Sequence, residues 1–318
     1  MVDAFWLLPI FSGLADAAAR GVIKRSNLHA YALNAGGYLF TLPWYLAWLF
    51  ISGTLEIQNA FWITIVLVIP LSVIGVILTV KAHQRSPLTL TAPFLSITPA
   101  VQYILAPIAI ILGVYFLPSL TWKWPSIWGA VGIPMLVAGI WVLGLQERHH
   151  GFLGPFLILK TDSGARLIFI VGLLWGVTAY LDFVGFQQAN KPFYLLMNHG
   201  LICASCVALT RNEIKKGVIA AKALFTTASY KTYALYGTTV AFSMILQLLA
   251  YEKIPLVPYV ISGKRVGLIL FAMGIGVLLA KLRRIFGDKY SSENQHLKYR
   301  FSGAVFMIAG MLIVVFLG

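Results

Sequence analysis

Lys264 and Arg265 stand side by side about eight residues into a long apolar run that begins near residue 256. At 1.5 Å per helical residue, Lys264 would lie ~12 Å inside a hydrocarbon layer ~30 Å thick. An ionisable side chain at that depth costs about 2.5–3.5 kcal/mol on insertion scales and faces either a partner or a wet cavity. A carboxylate or phosphate would satisfy both cations, since Lys offers a point charge and Arg a planar two-pronged donor. Neighbours on a helix are ~100° apart, so the two need not share one cavity. The competing reading is a fixed protein acid that neutralises one of them and ties the bundle together.

Other polar residues sit in similar surroundings. Asp16 and Arg20 have the i,i+4 spacing of an intrahelical ion pair, unless Asp16 is a cavity acid that exchanges Arg20 for a solute or a proton. Asp182 has no basic residue one turn away in its own run, so Lys264 or Arg265 is the partner that depth suggests. Asn198 and His199 would line a polar path or form structural hydrogen bonds. Asn34, Gln102, Tyr103 and Gln247 are orienting groups on one reading and helix-to-helix hydrogen bonds on the other. Cys203 and Cys206 lie in an apolar run as small packing residues. Acids and histidines form no paired-carboxylate, metal-ligating or nucleophile-base set, and His149 and His150 fall in a charged connection. An enzyme, a metal centre and a bound cofactor are therefore not expected.

These residues must be positioned by membrane-crossing helices. Of 318 residues, 59% are hydrophobic and 11% charged, against about 25% charged in soluble domains. Ten apolar runs read as spans: about 4 to 23, 31 to 51, 60 to 80, 88 to 113, 126 to 145, 167 to 187, 192 to 210, 232 to 250, 256 to 280 and 301 to 317. Long alternating strand patterns are missing, so a helical bundle is expected rather than a barrel. The first run contains Asp16 and Arg20 and follows no basic segment, which favours a span over a cleaved signal. Connections after the first, third, fifth, seventh and ninth spans hold 18 of the 24 Lys and Arg residues. The charge rule puts those connections in the cytoplasm and both termini outside. A formal net charge of +14 then reflects topology, not nucleic-acid binding. Trp6, Trp44, Trp48, Trp122, Trp124 and Trp128 fall near span ends, as interfacial anchors do. Pro93 and Pro99 crowd the fourth span and Pro255 and Pro258 open the ninth, which suggests two related helices that hinge beside a pathway.

The second half repeats the first. At an offset of 163, Gly13, Asn27, Tyr31, Leu33 and Gly37 fall on Gly176, Asn190, Tyr194, Leu196 and Gly200. Ala82, Pro87 and Leu88 fall on Ala250, Pro255 and Leu256 at 168, and Gly129-Ala130-Val131 on Gly303-Ala304-Val305 at 174. Residues 1–147 and 148–318 are thus two five-helix units. Five is odd, so the copies must lie upside down relative to each other. Inverted pairs of this kind give two near-equivalent conformations that open a midplane site to each side in turn. Duplication that merely enlarged a bundle is the plainer alternative.

The stretch Ala82-His83-Gln84-Arg85-Ser86-Pro87-Leu88, followed by Ala92-Pro93-Phe94-Leu95-Ser96-Ile97-Thr98-Pro99, resembles the third-to-fourth helix junction of two-domain EamA-type proteins of the drug/metabolite transporter superfamily. The Gly-spaced runs from Gly129 to Gly139 and from Gly303 to Gly310 are similar to that family's closing helices. Tyr259-Val260-Ile261-Ser262-Gly263-Lys264-Arg265 resembles a ninth-helix signature shared with phosphate-sugar and nucleotide-sugar carriers. The resemblance implies a secondary transporter for a small anionic or zwitterionic metabolite, in which Lys264 and Arg265 contact an anionic solute. Asp182, Asp16, His199, Asn198, Gln102 and Tyr103 complete the expected binding set. Expected partners are the solute, the lipid bilayer and a proton or counter-solute, with a monomer in a bacterial inner membrane. No glycine-lysine phosphate loop is present, so gradients or exchange would drive transport. An integral-membrane lipid-handling protein or enzyme is the alternative.

Overall fold

The computed structural model describes residues 5, 7–53, 55, 57–58, 60–116, 126–143, 145, 154–254, 256–281 and 297–317. Pro255, Trp6, Trp122, Trp124, His149 and His150, and the side chain of Trp128, lie outside these residues.

In an apolar solvent a helix satisfies its own backbone groups, and the regular structure of the described residues is all helical apart from one isolated bridge between Ile57 and Ala189. The helices are α1 (Leu7–Arg25), α2 (Ala30–Ser52), α3 (Ala60–Arg85), α4 (Leu88–Phe94), α5 (Ile97–Phe116), α6 (Gly132–Leu143), α7 (Ile158–Thr161), α8 (Ser163–Gln187), α9 (Lys191–Lys215), α10 (Ala221–Leu224), α11 (Thr227–Lys253), α12 (Val257–Lys281) and α13 (Leu297–Leu317). Local chemistry sets several ends. Asp162 caps α8 by accepting from the Ala165 amide at 2.7 Å, and Thr226 caps α11 through the Ser229 amide at 3.1 Å. Gly53, at φ 69°, closes α2 in the left-handed conformation, which glycine adopts without a Cβ clash.

Among the described residues, seven helical stretches are long and apolar enough to cross a membrane: α3, α4 with α5, α8, α9, α11, α12 and α13. The chain is an all-α, multi-pass membrane protein. Its outer face carries bare apolar side chains, such as Phe50 and Ile51 on α2, Val66 on α3 and Ile104 on α5. In a bilayer this is the lipid-facing surface.

The sequence reads the fourth span as one helix, whereas the chain breaks at Leu95–Ser96 into α4 and α5. Pro93 and Pro99 lack the N–H groups that would bond four residues back. The amides of Leu95, Ser96 and Thr98 bond three residues back instead, at 2.9–3.2 Å. Pro258 is the second residue of α12, where a missing N–H costs nothing. It starts the helix there and does not interrupt it.

Glycines set how closely the long helices approach. A Cβ on Gly13 of α1 would lie 2.1 Å from the Lys264 carbonyl, and one on Gly267 of α12 would lie 2.2 Å from the Ile10 carbonyl. Farther apart along the crossing, Gly263 meets Pro9 and Gly21 meets Ile275, an order that advances along both helices, so α1 and α12 run parallel with their backbones touching. At the other side of the bundle Gly132 of α6 meets Gly310 of α13, and Gly139 meets Gly303. That order reverses between the two chains, so α6 and α13 are antiparallel.

Candidate functional site

Close approach of α1 and α12 decides which charges meet. Asp16 and Arg20 are one turn apart on α1 and bond at 3.0 Å. The glycine crossing lays α12 alongside, which brings Arg265 to 3.5 Å from the same carboxylate. Asp16 therefore holds two guanidinium groups. Arg20 also donates to Nε2 of His83 on α3 at 2.9 Å. An accepting Nε2 leaves the proton of the neutral ring on Nδ1, 2.8 Å from the Thr91 hydroxyl. Thr91 in turn donates to the Pro87 carbonyl at 3.0 Å, so each proton in the chain has an acceptor.

Lys264 fares differently. It is buried, and its Nζ donates to the Gln247 amide oxygen of α11 at 2.7 Å. Among the described residues no carboxylate lies within ion-pair distance of it. Asp182 on α8 does not supply one. Its carboxylate accepts from the Tyr194 hydroxyl in a short hydrogen bond and from the Asn198 amide at 3.5 Å. The partner that depth suggests for Asp182 is thus replaced by neutral donors on α9, the helix that packs beside it.

His199 follows Asn198 on α9. Its Nδ1 lies 3.1 Å from both the Thr41 and Tyr45 hydroxyls of α2. Thr41 donates its own proton to the Tyr38 carbonyl at 2.7 Å, while the Tyr45 hydroxyl can donate to Nδ1 or accept from it according to the imidazole tautomer. Tyr38 and Tyr45 meet the ring edge-on at centroid distances of 4.7 and 5.0 Å.

Asp16, Arg20, Asp182, Asn198, His199, Lys264 and Arg265 all line one cavity of about 120 Å³, room for several waters or a small solute. Its walls come from α1, α2, α3, α8, α9, α11 and α12, with Tyr38, Trp175 and Tyr236 as aromatic surfaces and Ser72, Thr79, Ser243 and Gln247 as polar ones. With the carboxylates ionised, three cations face two anions. The Asn198 carbonyl oxygen and the Thr79 hydroxyl are buried there without a hydrogen-bond partner. The site can thus donate to an anion from Lys264 and accept from hydroxyl or ammonium groups.

Gln102 and Tyr103 do not reach this cavity. Gln102 is fully buried with neither side-chain amide atom bonded, while Tyr103 donates to the Ser126 carbonyl at 2.9 Å, beside Tyr259. Both belong to the packing of α5, and neither α4 nor α5 contributes to the cavity wall. Of the two proline-bearing helices expected beside the pathway, α12 is there and the fourth segment is not. Asn34 is a cross-brace: it donates to the Ala30 and Val76 carbonyls at 3.0 and 3.3 Å and accepts from Tyr236 at 3.1 Å. Tyr38, Trp175, Thr79 and Tyr236 escape sequence reasoning because aromatic and hydroxyl residues are common in apolar spans. Among the neutral lining groups, the sequence points to Asn198, His199 and Gln247.

Among the described residues no group of three His, Cys, Asp or Glu side chains could hold a metal ion. No protein-family model matches the chain, and no curated protein matches it. A solved structure described as "Crystal structure of protein" superposes with a TM-score of 0.55 at 13% identity, over 98% of this chain and 96% of that one. At that identity the likeness concerns the fold, which the two chains share over nearly their whole length.

Proposed function

We propose that this protein is a secondary transporter that moves a small anionic or zwitterionic metabolite through the central cavity by alternating access. Lys264 carries this reading. It is a buried cation on a cavity wall, in an apolar bundle, and its partner among the described residues is a neutral amide. Burying a charge without a counter-charge is unfavourable, and an anion entering from solution would offset that cost while bound. Asp16 is already engaged by two arginines, and Asp182 by Tyr194 and Asn198. A fixed acid for Lys264 is lacking among the described residues, so the counter-charge is free to be a passenger.

Alternating access requires two units that rock about the cavity, and we assign them as ten spans in two inverted five-helix repeats of the EamA type. Reciprocal crossings support this assignment. Gly13 of α1 packs on Leu268 of α12, and Gly176 of α8 packs on Val101 of α5. Shifted by the offsets of the sequence repeat, the first contact lands on Gly176 and Ala100, one residue from the second. The antiparallel crossing of α6 and α13, which close the two units, is what inverted copies would produce.

Transport in liposomes tests the reading. Purified protein would be reconstituted and challenged with labelled amino acids, sugar phosphates and nucleotide sugars. Saturable uptake of one class, lost in Lys264→Gln, is the expected result. Absence of saturable flux for every class, together with turnover of a lipid headgroup, would replace the transporter with a lipid-handling enzyme.

A further inference from the structure

A second cavity, of about 600 Å³, lies between α12 and α13, away from the central site. Nine of its ten lining residues are apolar, among them Ile269, Met273 and Val277 of α12 and Phe301 and Ile308 of α13. The tenth is Lys298. Leu270, Phe301 and Val305 on its rim are exposed, so the groove opens sideways toward the bilayer. Gly274 forms part of its floor, and a Cβ there would meet no atom within 4 Å. From Lys298 to Ile308 the groove follows ten residues of α13, ~15 Å of helix.

Lys298 marks one end. It is exposed, and no described residue bonds to it or pairs with it. It is the second residue of α13 and belongs to the stretch 281–300, which holds six of the 24 Lys and Arg residues, on the side that the charge rule assigns to the cytoplasmic leaflet. Anionic headgroups in that leaflet attract basic residues next to a span. A cation at the mouth and an apolar trough of acyl-chain length behind it complement one class of molecule.

We infer that the α12–α13 groove is a binding site for an anionic glycerophospholipid, with the phosphate at Lys298 and one acyl chain laid over Gly274 toward Ile269 and Ile308. α12 also carries Lys264 and Arg265, so an occupied groove places a lipid on the helix that supplies the cavity's cations. The inference does not depend on the identity, or the movement, of any solute.

Native mass spectrometry of the full chain, purified in detergent and offered phosphatidylglycerol or phosphatidylcholine, tests it. The wild type is expected to retain phosphatidylglycerol over phosphatidylcholine by about fivefold, the factor for one lysine near an anionic lipid. Lys298→Gln should abolish that preference while still retaining lipid. Gly274→Phe, which fills the trough, should lower retention of both lipids, and thermal unfolding in detergent would verify that it folds. Equal retention of the two lipids by the wild type, or retention unchanged in both variants, would overturn the assignment. A folded Gly274→Phe protein that still prefers phosphatidylglycerol would place the lipid elsewhere and likewise overturn it.

Discussion

The Lys264 ammonium rests 2.7 Å from the Gln247 amide oxygen, and the Gln247 amide nitrogen lies 3.4 Å from the Tyr251 hydroxyl. The lysine is therefore anchored to α11 through a neutral group that can release it at little electrostatic cost. Tyr251 stacks on Phe186 with a centroid distance of 5.5 Å and meets Phe183 at 5.9 Å. A solute that drew Lys264 off Gln247 would also loosen the group that holds Tyr251 in this aromatic cluster.

Lys264→Gln is expected to weaken binding of the proposed anionic solute by roughly 10- to 100-fold, the range of one charge-assisted hydrogen bond. The melting temperature should stay level or rise, because a buried charge without an acid is removed. Lys264→Arg should keep part of the affinity. Titration of uptake against solute concentration, beside thermal unfolding in detergent, measures both. Undiminished affinity in the glutamine variant would remove the anion site.

Asp16 presents the opposite case. Asp16→Asn leaves Arg20 and Arg265 facing each other in a buried site, and breaking such a cluster costs about 3–5 kcal/mol. Arg265→Gln added to Asp16→Asn should recover part of the loss, since the second change removes one stranded cation. A double-mutant cycle on thermal unfolding reads this coupling. Strict additivity would mean that the 3.5 Å contact between Arg265 and Asp16 contributes nothing.

Charged residues in the cavity are legible in the sequence because a charge in an apolar run is rare and costly wherever it points. Asp16, Asp182, Lys264 and Arg265 are found for that reason, and the depth of each follows from counting along its helix. Neutral polar residues carry no such signal. Gln102 and His199 look alike as isolated polar residues, yet one is packed in α5 and the other lines the cavity. Direction around a helix depends on which neighbours it meets, and that is set by contacts such as Gly13 on Leu268 between residues far apart in sequence. His83 illustrates the limit: it sits in the stretch that resembles the family's helix junction, but its bond to Arg20 joins α3 to α1 and is invisible to local spacing. Seven of the ten runs read as spans coincide with helices long and apolar enough to cross a membrane among the described residues, while the break at Leu95–Ser96 is foreshadowed only by Pro93 and Pro99.

His29 makes acid sensitivity testable outside the spans. Its Nδ1 accepts from the Tyr31 amide at 3.4 Å at the start of α2. Burial, and then the charge of Lys81, hold its imidazole below the ordinary value of 6.5, with Glu213 opposing. The fold thus favours the neutral ring, so this stabilisation is present above about 6.5 and is lost as the pH falls toward the lower folded value. His29→Asn retains a capping acceptor and has no such titration. Wild-type melting temperature should fall faster than that of the variant between neutral and mildly acidic pH, and parallel profiles would exclude His29 as the cause.

Gly132 and Gly310 test the crossing of α6 with α13. A Cβ on Gly132 would lie 2.2 Å from the Gly310 carbonyl, and one on Gly310 would lie 2.7 Å from the Gly132 carbonyl. Backbone atoms cannot rotate away as a flexible side chain can, so either residue changed to Leu must push α6 and α13 apart. Overpacking of this kind costs typically 1–3 kcal/mol, and each variant should melt lower than wild type. The pair Gly139 and Gly303 should respond alike, since each Cβ would lie 2.8 Å from the other's carbonyl. A cysteine carries the same Cβ and also parts the helices a little, but because they are antiparallel, cysteines at 132 and 310 remain neighbours and should crosslink, as should cysteines at 139 and 303. Cysteines at 132 and 303 lie a turn or more apart along the crossing and should not. Efficient crosslinking of 132 with 303 would mean that α6 and α13 run the same way, and inverted closing helices would then be lost.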